Sequence, residues 1–124
     1  IEKVVKNDSQ QAQKLEKIIT HFFLLNILKK QCCPFLRFKK TTLRLDFYLP
    51  QLKIAFEYDG RQHDEFVEHF HQTPKLFELQ QKRDRVKEAF CQSAGIRLIR
   101  FSWKESLTKK LFSEKLKAIN WGLR

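Results

Sequence analysis

The stretch LRLDFYLPQLKIAFEYDGRQHDEF, residues 43–66, decides the fold of this chain. Apolar and polar residues alternate over 43–49 and again over 52–59, which is the pattern of two strands that each bury one face. Pro50–Gln51 lies between the two segments and favours a tight turn. We therefore predict an antiparallel hairpin that buries leucine and phenylalanine on one face and carries three carboxylates on the other, at Asp46, Glu57 and Asp59.

The length of the turn decides how these carboxylates face one another. A two-residue turn would pair Leu49 with Leu52 and thereby set Asp46 opposite Ala55. In that register Asp46 and Glu57 are diagonal neighbours, about 7–8 Å apart at the backbone. A four-residue turn would keep this register, whereas a three-residue turn would break it.

Clustered carboxylates on a hairpin need a reason, because strands disfavour Asp and Glu and each close pair costs on the order of 1–4 kcal/mol near a surface. A positive group must offset that repulsion. Mg²⁺ is one possibility, since it binds one or two carboxylates and keeps several waters. The side chains of the protein itself are the other, and the candidates are Arg44, Lys53 and Lys87.

Helical spacing of apolar residues and turn-forming residues predict the other elements. Thr73 and Pro74 form a helix start, and Gly95 suits a helix C-terminus. The fold class is α/β (α+β), with a mixed sheet flanked by helices in the order α-β-β-β-α-β-α. The predicted elements are a helix from a cap at Asn7–Ser9 to about Lys30, a strand at 35–38, the hairpin strands, a helix over 74–94, a strand at 96–102 and a helix that opens at Ser106.

Length and composition fit one folded domain over residues 1–124, with 42% hydrophobic residues. The chain contains no Met, which we interpret as the sign of a domain excised from a longer protein. Its best apolar run, IITHFFLLNIL, is far shorter than the roughly 20 residues that a membrane helix needs. The sequence also has no secretory signal pattern. We expect an intracellular protein of the cytoplasm or nucleus that is neither secreted nor membrane-bound.

Charge is distributed unevenly along the chain, whose net charge is +11. Residues 1–45 carry +7, residues 46–81 carry −4 and residues 82–124 carry +8. An acidic block between basic blocks fits a polyanion-binding surface around a metal site, and a solvated basic surface has the same composition. A zinc site is a separate alternative that matches no usual ligand spacing; its residues would be Cys32, Cys33, His69 and His71.

His63 is the candidate general base, because it follows the acidic strand by four residues, just past Gly60. An imidazole, whose reference pKa is about 6.5, can accept a proton from water at neutral pH. His69 and His71 are weaker candidates for the same role.

Four linked motifs in this region resemble the restriction-endonuclease-like PD-(D/E)xK superfamily. They are D-F-Y-x-P at 46–50, E-x-D-G-x-Q-H at 57–63, D-x-x-K at 84–87 and G-I-R-L-I-R-F at 95–101. Within the superfamily, the pattern is most similar to very-short-patch repair endonucleases and E-D-x-H-D homing endonucleases. The likeness covers residues 43–103 well and the flanking helices by position only. It implies a restriction-endonuclease-like core and a Mg²⁺- or Mn²⁺-dependent endonuclease that hydrolyses DNA phosphodiester bonds, in repair-type or homing-type nicking or cleavage.

The resemblance implies a metal site when it is carried over residue by residue. Asp46 matches the metal-binding aspartate, and Tyr58 lies where the repair enzymes offer a backbone carbonyl to the metal. The neighbouring Glu57 would supply a side-chain ligand instead. Glu16 matches the N-terminal helix glutamate of the family better than Glu2 does.

The resemblance also implies the catalytic groups around that metal. His63 would activate water, and Asp84 would orient His63 or the metal's waters. The sequence departs from the superfamily at Asp59, which replaces the lysine of the E-x-K motif and a phosphate-facing histidine of the repair enzymes. Lys87 or His63 would then take over the lysine's work.

DNA is the partner that the resemblance implies, together with a further DNA-recognition region in the parent protein. The substrate would be held through phosphate contacts from basic side chains. Two alternatives remain: a non-catalytic nucleic-acid-binding module of the same fold, and a structural subunit of a nuclease complex. The residues predicted to contact DNA are Arg37, Lys39, Lys40, Arg44, Arg61, Lys82, Arg83 and Arg85.

Overall fold

The computed structural model of the chain describes residues 2–32, 37–38, 41–60 and 73–121. Side chains are described within these ranges, except those of residues 2–8, 37, 38 and 41. The fold is α+β, and the succession of a helix, a block of strands, a helix, a strand and a helix is as predicted. The helices are α1 Glu2–Phe22, α2 Pro74–Ala94 and α3 Lys109–Ala118; the strands are β1 Lys29–Cys32, β2 Arg37–Phe38, β3 Thr41–Thr42, β4 Leu45–Leu49, β5 Ile54–Asp59 and β6 Arg97–Ser102.

The main sheet has four strands in the order β1-β4-β5-β6. The pairs β1–β4 and β4–β5 are antiparallel, while β5 and β6 are parallel, as a crossover through α2 requires. The predicted mixed sheet is therefore confirmed. Strands β2 and β3 form a separate two-stranded sheet.

The predicted caps of α2 are both confirmed. The Thr73 hydroxyl accepts a hydrogen bond from the amide of Leu76 at 3.3 Å, and Pro74 occupies the first turn. Gly95 ends the helix with a φ of 74°, in the left-handed region that glycine adopts without strain. The last helix begins three residues later than predicted, at Lys109, because Thr108 rather than Ser106 caps it.

The prediction that the first helix runs to Lys30 is wrong. α1 ends at Phe22, and the chain turns back through a bond from the amide of Asn26 to the carbonyl of Phe23. Apolar residues continue the helical spacing beyond that point, but Leu25 is 96% exposed. The apolar spacing therefore predicts a longer helix than the one that forms. Strand β1 was missed for the same reason, and its residues Lys29–Cys32 show no alternation of buried and exposed positions.

The predicted hairpin register is also wrong in its pairing but right in its faces. The connection has four residues rather than two, so Leu49 pairs with Ile54, and Lys53 adopts a left-handed φ of 53°. Loops of this length commonly include one such residue. Continued by one residue, the register sets Asp46 opposite Glu57 instead of Ala55. The even shift keeps both carboxylates on one face, as predicted.

Helices cover both faces of the sheet. On one face, α1 and α3 pack against the sheet in the larger apolar cluster, whose members include Leu15, Ile19, Phe47, Ile54, Phe56, Ile99, Phe101, Phe112 and Leu116. On the other face, α2 contributes Cys91 to a smaller cluster with Leu45, Ala55 and Ile96. Cys91 is buried. Glu57, on the carboxylate face of the hairpin, thus lies under α2 rather than in solvent.

Within the part of the chain that the structure describes, no helix combines the length and the apolar character needed to cross a membrane.

Candidate active site

Asp46 and Glu57 bind each other's strands at the open end of the hairpin. The backbone pairing of β4 with β5 ends at Phe47 and Phe56. Just beyond it, the Asp46 amide donates to Glu57 Oε2 at 2.6 Å, and the Tyr58 amide donates to Asp46 Oδ2 at 3.1 Å. Carboxylates therefore hold the two strands where backbone pairing stops, and they fix the Asp46 side chain beside the backbone of Tyr58.

Among the described residues, Glu57 is the buried charged residue, with 2% of its surface exposed. Its Oε1 accepts a hydrogen bond from Lys87 Nζ at 2.7 Å, and the Lys87 side chain is itself only 14% exposed. Lys87 is thus the counter-charge among the three predicted candidates. Glu57 thus links the Lys87 ammonium to the backbone amide of Asp46, and it helps to position Asp46.

Burial raises the pKa of Glu57 from 4.5 to about 7. The negative charge of Asp46 is a second, smaller cause of this net rise in the pKa, and the Lys87 ammonium and the hydrogen bonds oppose it. The folded protein consequently holds this proton more tightly than the unfolded chain does.

Stability measured without metal is therefore expected to fall with rising pH because of Glu57. The stabilising contribution is fully present below about pH 4.5 and is lost as the pH rises through about 7. The loss is on the order of 3 kcal/mol. Urea unfolding of the parent chain and of Glu57→Gln across this range measures it as the difference between their free energies of unfolding. A difference that stays constant from pH 4.5 to 7 would contradict the assignment.

A second charged network lies beside the first, on the α2 side of the sheet. Arg100 NH1 lies 3.0 and 3.3 Å from the two carboxylate oxygens of Asp59. The same guanidinium donates to Glu88 at 3.0 Å and to the Asp84 carbonyl at 3.2 Å. Asp59 is thus tied to α2 through Arg100. The sequence analysis did not identify Arg100. A basic residue in the otherwise apolar strand β6 could have indicated a buried ion pair with a carboxylate on a neighbouring strand.

A cavity of about 490 Å³ opens where Asp46 and Tyr58 meet α1. Glu16 of α1 and Gln31 of β1 line it, as does Gly60 at the end of β5. The three residues that the resemblance assigns to the helix glutamate, the metal-binding aspartate and the carbonyl therefore share one cavity. Glu57, Asp59 and Lys87 do not line it.

Gln31 holds the second oxygen of the Asp46 carboxylate. It lies opposite Asp46 in the β1–β4 register, and its Nε2 donates to Asp46 Oδ1 at 3.3 Å. Its φ of 50° is left-handed, which costs a residue other than glycine on the order of 1 kcal/mol. Lys30, next to it, lies 3.4 Å from Glu16 Oε2. Neither residue stood out in the sequence, because the helix prediction covered Lys30 and no motif included Gln31.

The donor atoms in this cavity suit a hard cation. Mg²⁺ and Mn²⁺ prefer carboxylate, carbonyl and water oxygens, and one or two carboxylates suffice for Mg²⁺. Asp46 and Glu16 carry carboxylates among the lining residues, and Tyr58 lines the same cavity. Over the ranges 9–32, 42–60 and 73–121, no group of three or more His, Cys, Asp or Glu side chains is gathered as a ready metal site.

Several predicted site residues fall outside the described residues. These are His63, Arg61, Lys39 and Lys40, together with Cys33, His69 and His71 of the zinc alternative.

The remaining predicted DNA contacts lie at the surface or close to it. Arg44, Lys82 and Arg85 are exposed, and Arg83 is half-buried, with an Nε that has no hydrogen-bond partner among the described residues. Arg37 is described as a backbone position in β2 only.

Most of the chain matches one protein family. Residues 24–119 match the family described as "Protein of unknown function (DUF2726)". The chain belongs to the DUF2726 family. The DUF2726 match takes in β1 to α3, and α1 with Glu16 precedes it. No solved structure matches the chain significantly.

Two uncharacterized viral proteins are similar to this DUF2726 chain. The chain is 34% identical to uncharacterized protein 307L of Invertebrate iridescent virus 6 over 79 residues, which is 64% of the chain and 40% of that protein. It is 48% identical to uncharacterized protein 094L of Frog virus 3 over 58 residues, covering 46% of the chain and 37% of the viral protein. The matched part thus spans well under half of the length of either relative.

Proposed function

We propose that the chain is a metal-dependent DNA endonuclease that hydrolyses phosphodiester bonds on a restriction-endonuclease-like core. One observation carries the proposal: Glu16, Asp46 and Tyr58 line the same cavity at the open end of the hairpin. A mixed sheet covered by helices on both faces, with its parallel pair formed by β5 and β6, supports the core assignment.

The proposed reaction uses the fixed position of the Asp46 carboxylate. Two donors, the Tyr58 amide and the Gln31 side chain, hold its oxygens in the cavity. A Mg²⁺ or Mn²⁺ ion bound by Asp46 and the Tyr58 carbonyl would supply the positive charge that polarises the phosphate and stabilises the leaving oxygen. Glu57 and Lys87 act as positioning residues, because the buried pair holds the Asp46 amide through Glu57 Oε2.

His63 is the proposed general base, and Asp84 is its proposed orienting partner. Gly60 lines the cavity, and three residues of chain reach at most about 11 Å from it. The proposal requires His63 to reach a water molecule in the cavity, and this length of chain permits it. Asp84 lies on α2, where its carbonyl accepts from the Arg100 guanidinium that also binds Asp59. This link joins the end of β5 to the helix that carries Asp84.

Supercoiled plasmid tests the proposal. With Mg²⁺ or Mn²⁺ the chain is expected to convert plasmid to nicked or linear forms, and with EDTA it is expected to leave it intact. His63→Ala should lower the rate by about 10²- to 10⁴-fold, the usual contribution of a general base. His21→Ala, a change to an exposed histidine at the end of α1, is the matched control and should cut at the parental rate.

The same assay decides between the nuclease and the non-catalytic module. Retardation of DNA by the parent chain, without cleavage in either metal, would refute the nuclease and leave a nucleic-acid-binding domain. Equal cleavage by the parent chain and His63→Ala would refute the role of His63.

A further inference from the structure

The cavity at Asp46 continues along α1 as a groove. A second cavity of about 330 Å³ adjoins it and is lined by Gln13, Glu16, Lys17 and Thr20. Gln13 and Glu16 line both cavities. The joined space, called here the α1 groove, thus runs from Asp46 at one end to Thr20 at the other.

The side chains along the α1 groove suit a phosphate backbone. Lys17 and Lys30 supply positive charge, and Gln13 and Gln31 supply amide donors, the groups that bind phosphate and sugar oxygens in DNA complexes. Acidic side chains in its lining are limited to Asp46 and Glu16 among the described residues, and Lys30 lies against Glu16 at 3.4 Å. Away from Asp46, the groove therefore presents cationic and neutral donors.

The groove is long enough for several nucleotides. Its lining on α1 extends from Ser9 to Thr20, and a helix rises 1.5 Å per residue, which gives about 16 Å. A DNA duplex rises by about 3.4 Å per base pair along its axis, so this length corresponds to about five base pairs of axial rise.

We propose that the α1 groove binds the sugar-phosphate backbone of one DNA strand on one side of the scissile phosphate, with Lys17 as a phosphate contact. This inference rests on the proposed function, because it takes the phosphate at Asp46 as its starting point. It adds a surface that differs from the basic residues predicted from the sequence. The exposed residues of α1 and the edge strand β1 become part of the substrate site.

Lys17→Ala tests the proposal in a binding measurement made without metal. The probe is a fluorescein-labelled 20-base-pair duplex in EDTA, followed by anisotropy over a range of salt concentrations. Loss of one phosphate contact should lower the salt slope by about 0.7–0.9, which corresponds to about a five- to eightfold weaker affinity at 0.1 M salt.

Lys53→Ala is the matched control. Lys53 is exposed, as Lys17 is. It precedes β5, whereas the Asp46 cavity lies at the other end of that strand, roughly 20 Å away. It should leave affinity and slope unchanged. The proposal would be overturned if Lys17→Ala and Lys53→Ala lost affinity for the duplex equally, or if Lys17→Ala lost none. It would also be overturned if the parent chain did not bind the duplex. Because nothing is cut in EDTA, selective loss with Lys17→Ala supports the groove even if the parent chain fails to cleave plasmid.

Discussion

Asp46→Asn is expected to reduce metal-dependent cleavage of plasmid by about a thousandfold or more. The substitution keeps the size of the side chain and one carbonyl oxygen, but it removes the negative charge that attracts the ion. Charge stabilisation by a bound metal supplies several kcal/mol to such reactions, and each 1.36 kcal/mol is a factor of about ten in rate. Initial rates of nicking at saturating Mg²⁺ and at saturating Mn²⁺ measure the effect.

Glu114→Gln provides the control for Asp46→Asn. Glu114 is exposed on α3, so the same loss of one carboxylate charge there should leave the nicking rate unchanged. Thermal unfolding of both variants separates catalysis from folding, because Asp46→Asn should unfold cooperatively within a few degrees of the parent chain. Undiminished nicking by folded Asp46→Asn would refute the metal-binding role of this carboxylate.

Lys87→Met is expected to destabilise the protein by about 3–5 kcal/mol. The substitution keeps the length of the side chain but leaves Glu57, 2% exposed, without its counter-charge. Removing one partner of a buried ion pair costs this much because the other charge stays buried. For a domain of 124 residues the melting temperature should fall by roughly 10–20 °C. Circular dichroism melts and urea unfolding at about pH 9, where Glu57 is ionised in the parent chain because its pKa is about 7, provide the measurement.

Two further variants make the Lys87 result specific. Lys82→Met removes an exposed lysine from the same helix and should change stability by less than about 0.5 kcal/mol. The double variant Glu57→Leu with Lys87→Met replaces the pair by apolar groups and should recover much of the lost stability. If Lys87→Met unfolds at the same temperature as Lys82→Met, the buried pair does not have the energetic importance assigned to it.

Much of the fold could be predicted from local patterns in the sequence. Alternation set the two hairpin strands, and the pair Thr73–Pro74 with Gly95 set both ends of α2. β1 was missed because edge strands need not alternate, and all but one of its four residues are exposed. The hairpin register failed for a different reason, since a left-handed Lys53 allows a longer turn that the sequence does not mark.

The candidate site was predictable only in part, because its residues meet through tertiary packing. Motif resemblance selected Asp46, Tyr58 and Glu16, which do share a cavity. The same resemblance did not predict the ion pair between Lys87 and Glu57 or the one between Arg100 and Asp59. These pairings depend on which residues of α2 face the sheet, a relation that neither spacing nor charge along the chain specifies.

The proposed nuclease mechanism depends most on the binding of a divalent ion by the Asp46 carboxylate. Titration with Mn²⁺, with the free ion counted by electron paramagnetic resonance, tests it without DNA or turnover. The account predicts one bound Mn²⁺ per parent chain and per Glu114→Gln chain, and an affinity at least about ten- to a hundredfold weaker in Asp46→Asn. Equal Mn²⁺ affinity in all three proteins, or no binding by the parent chain, would contradict it.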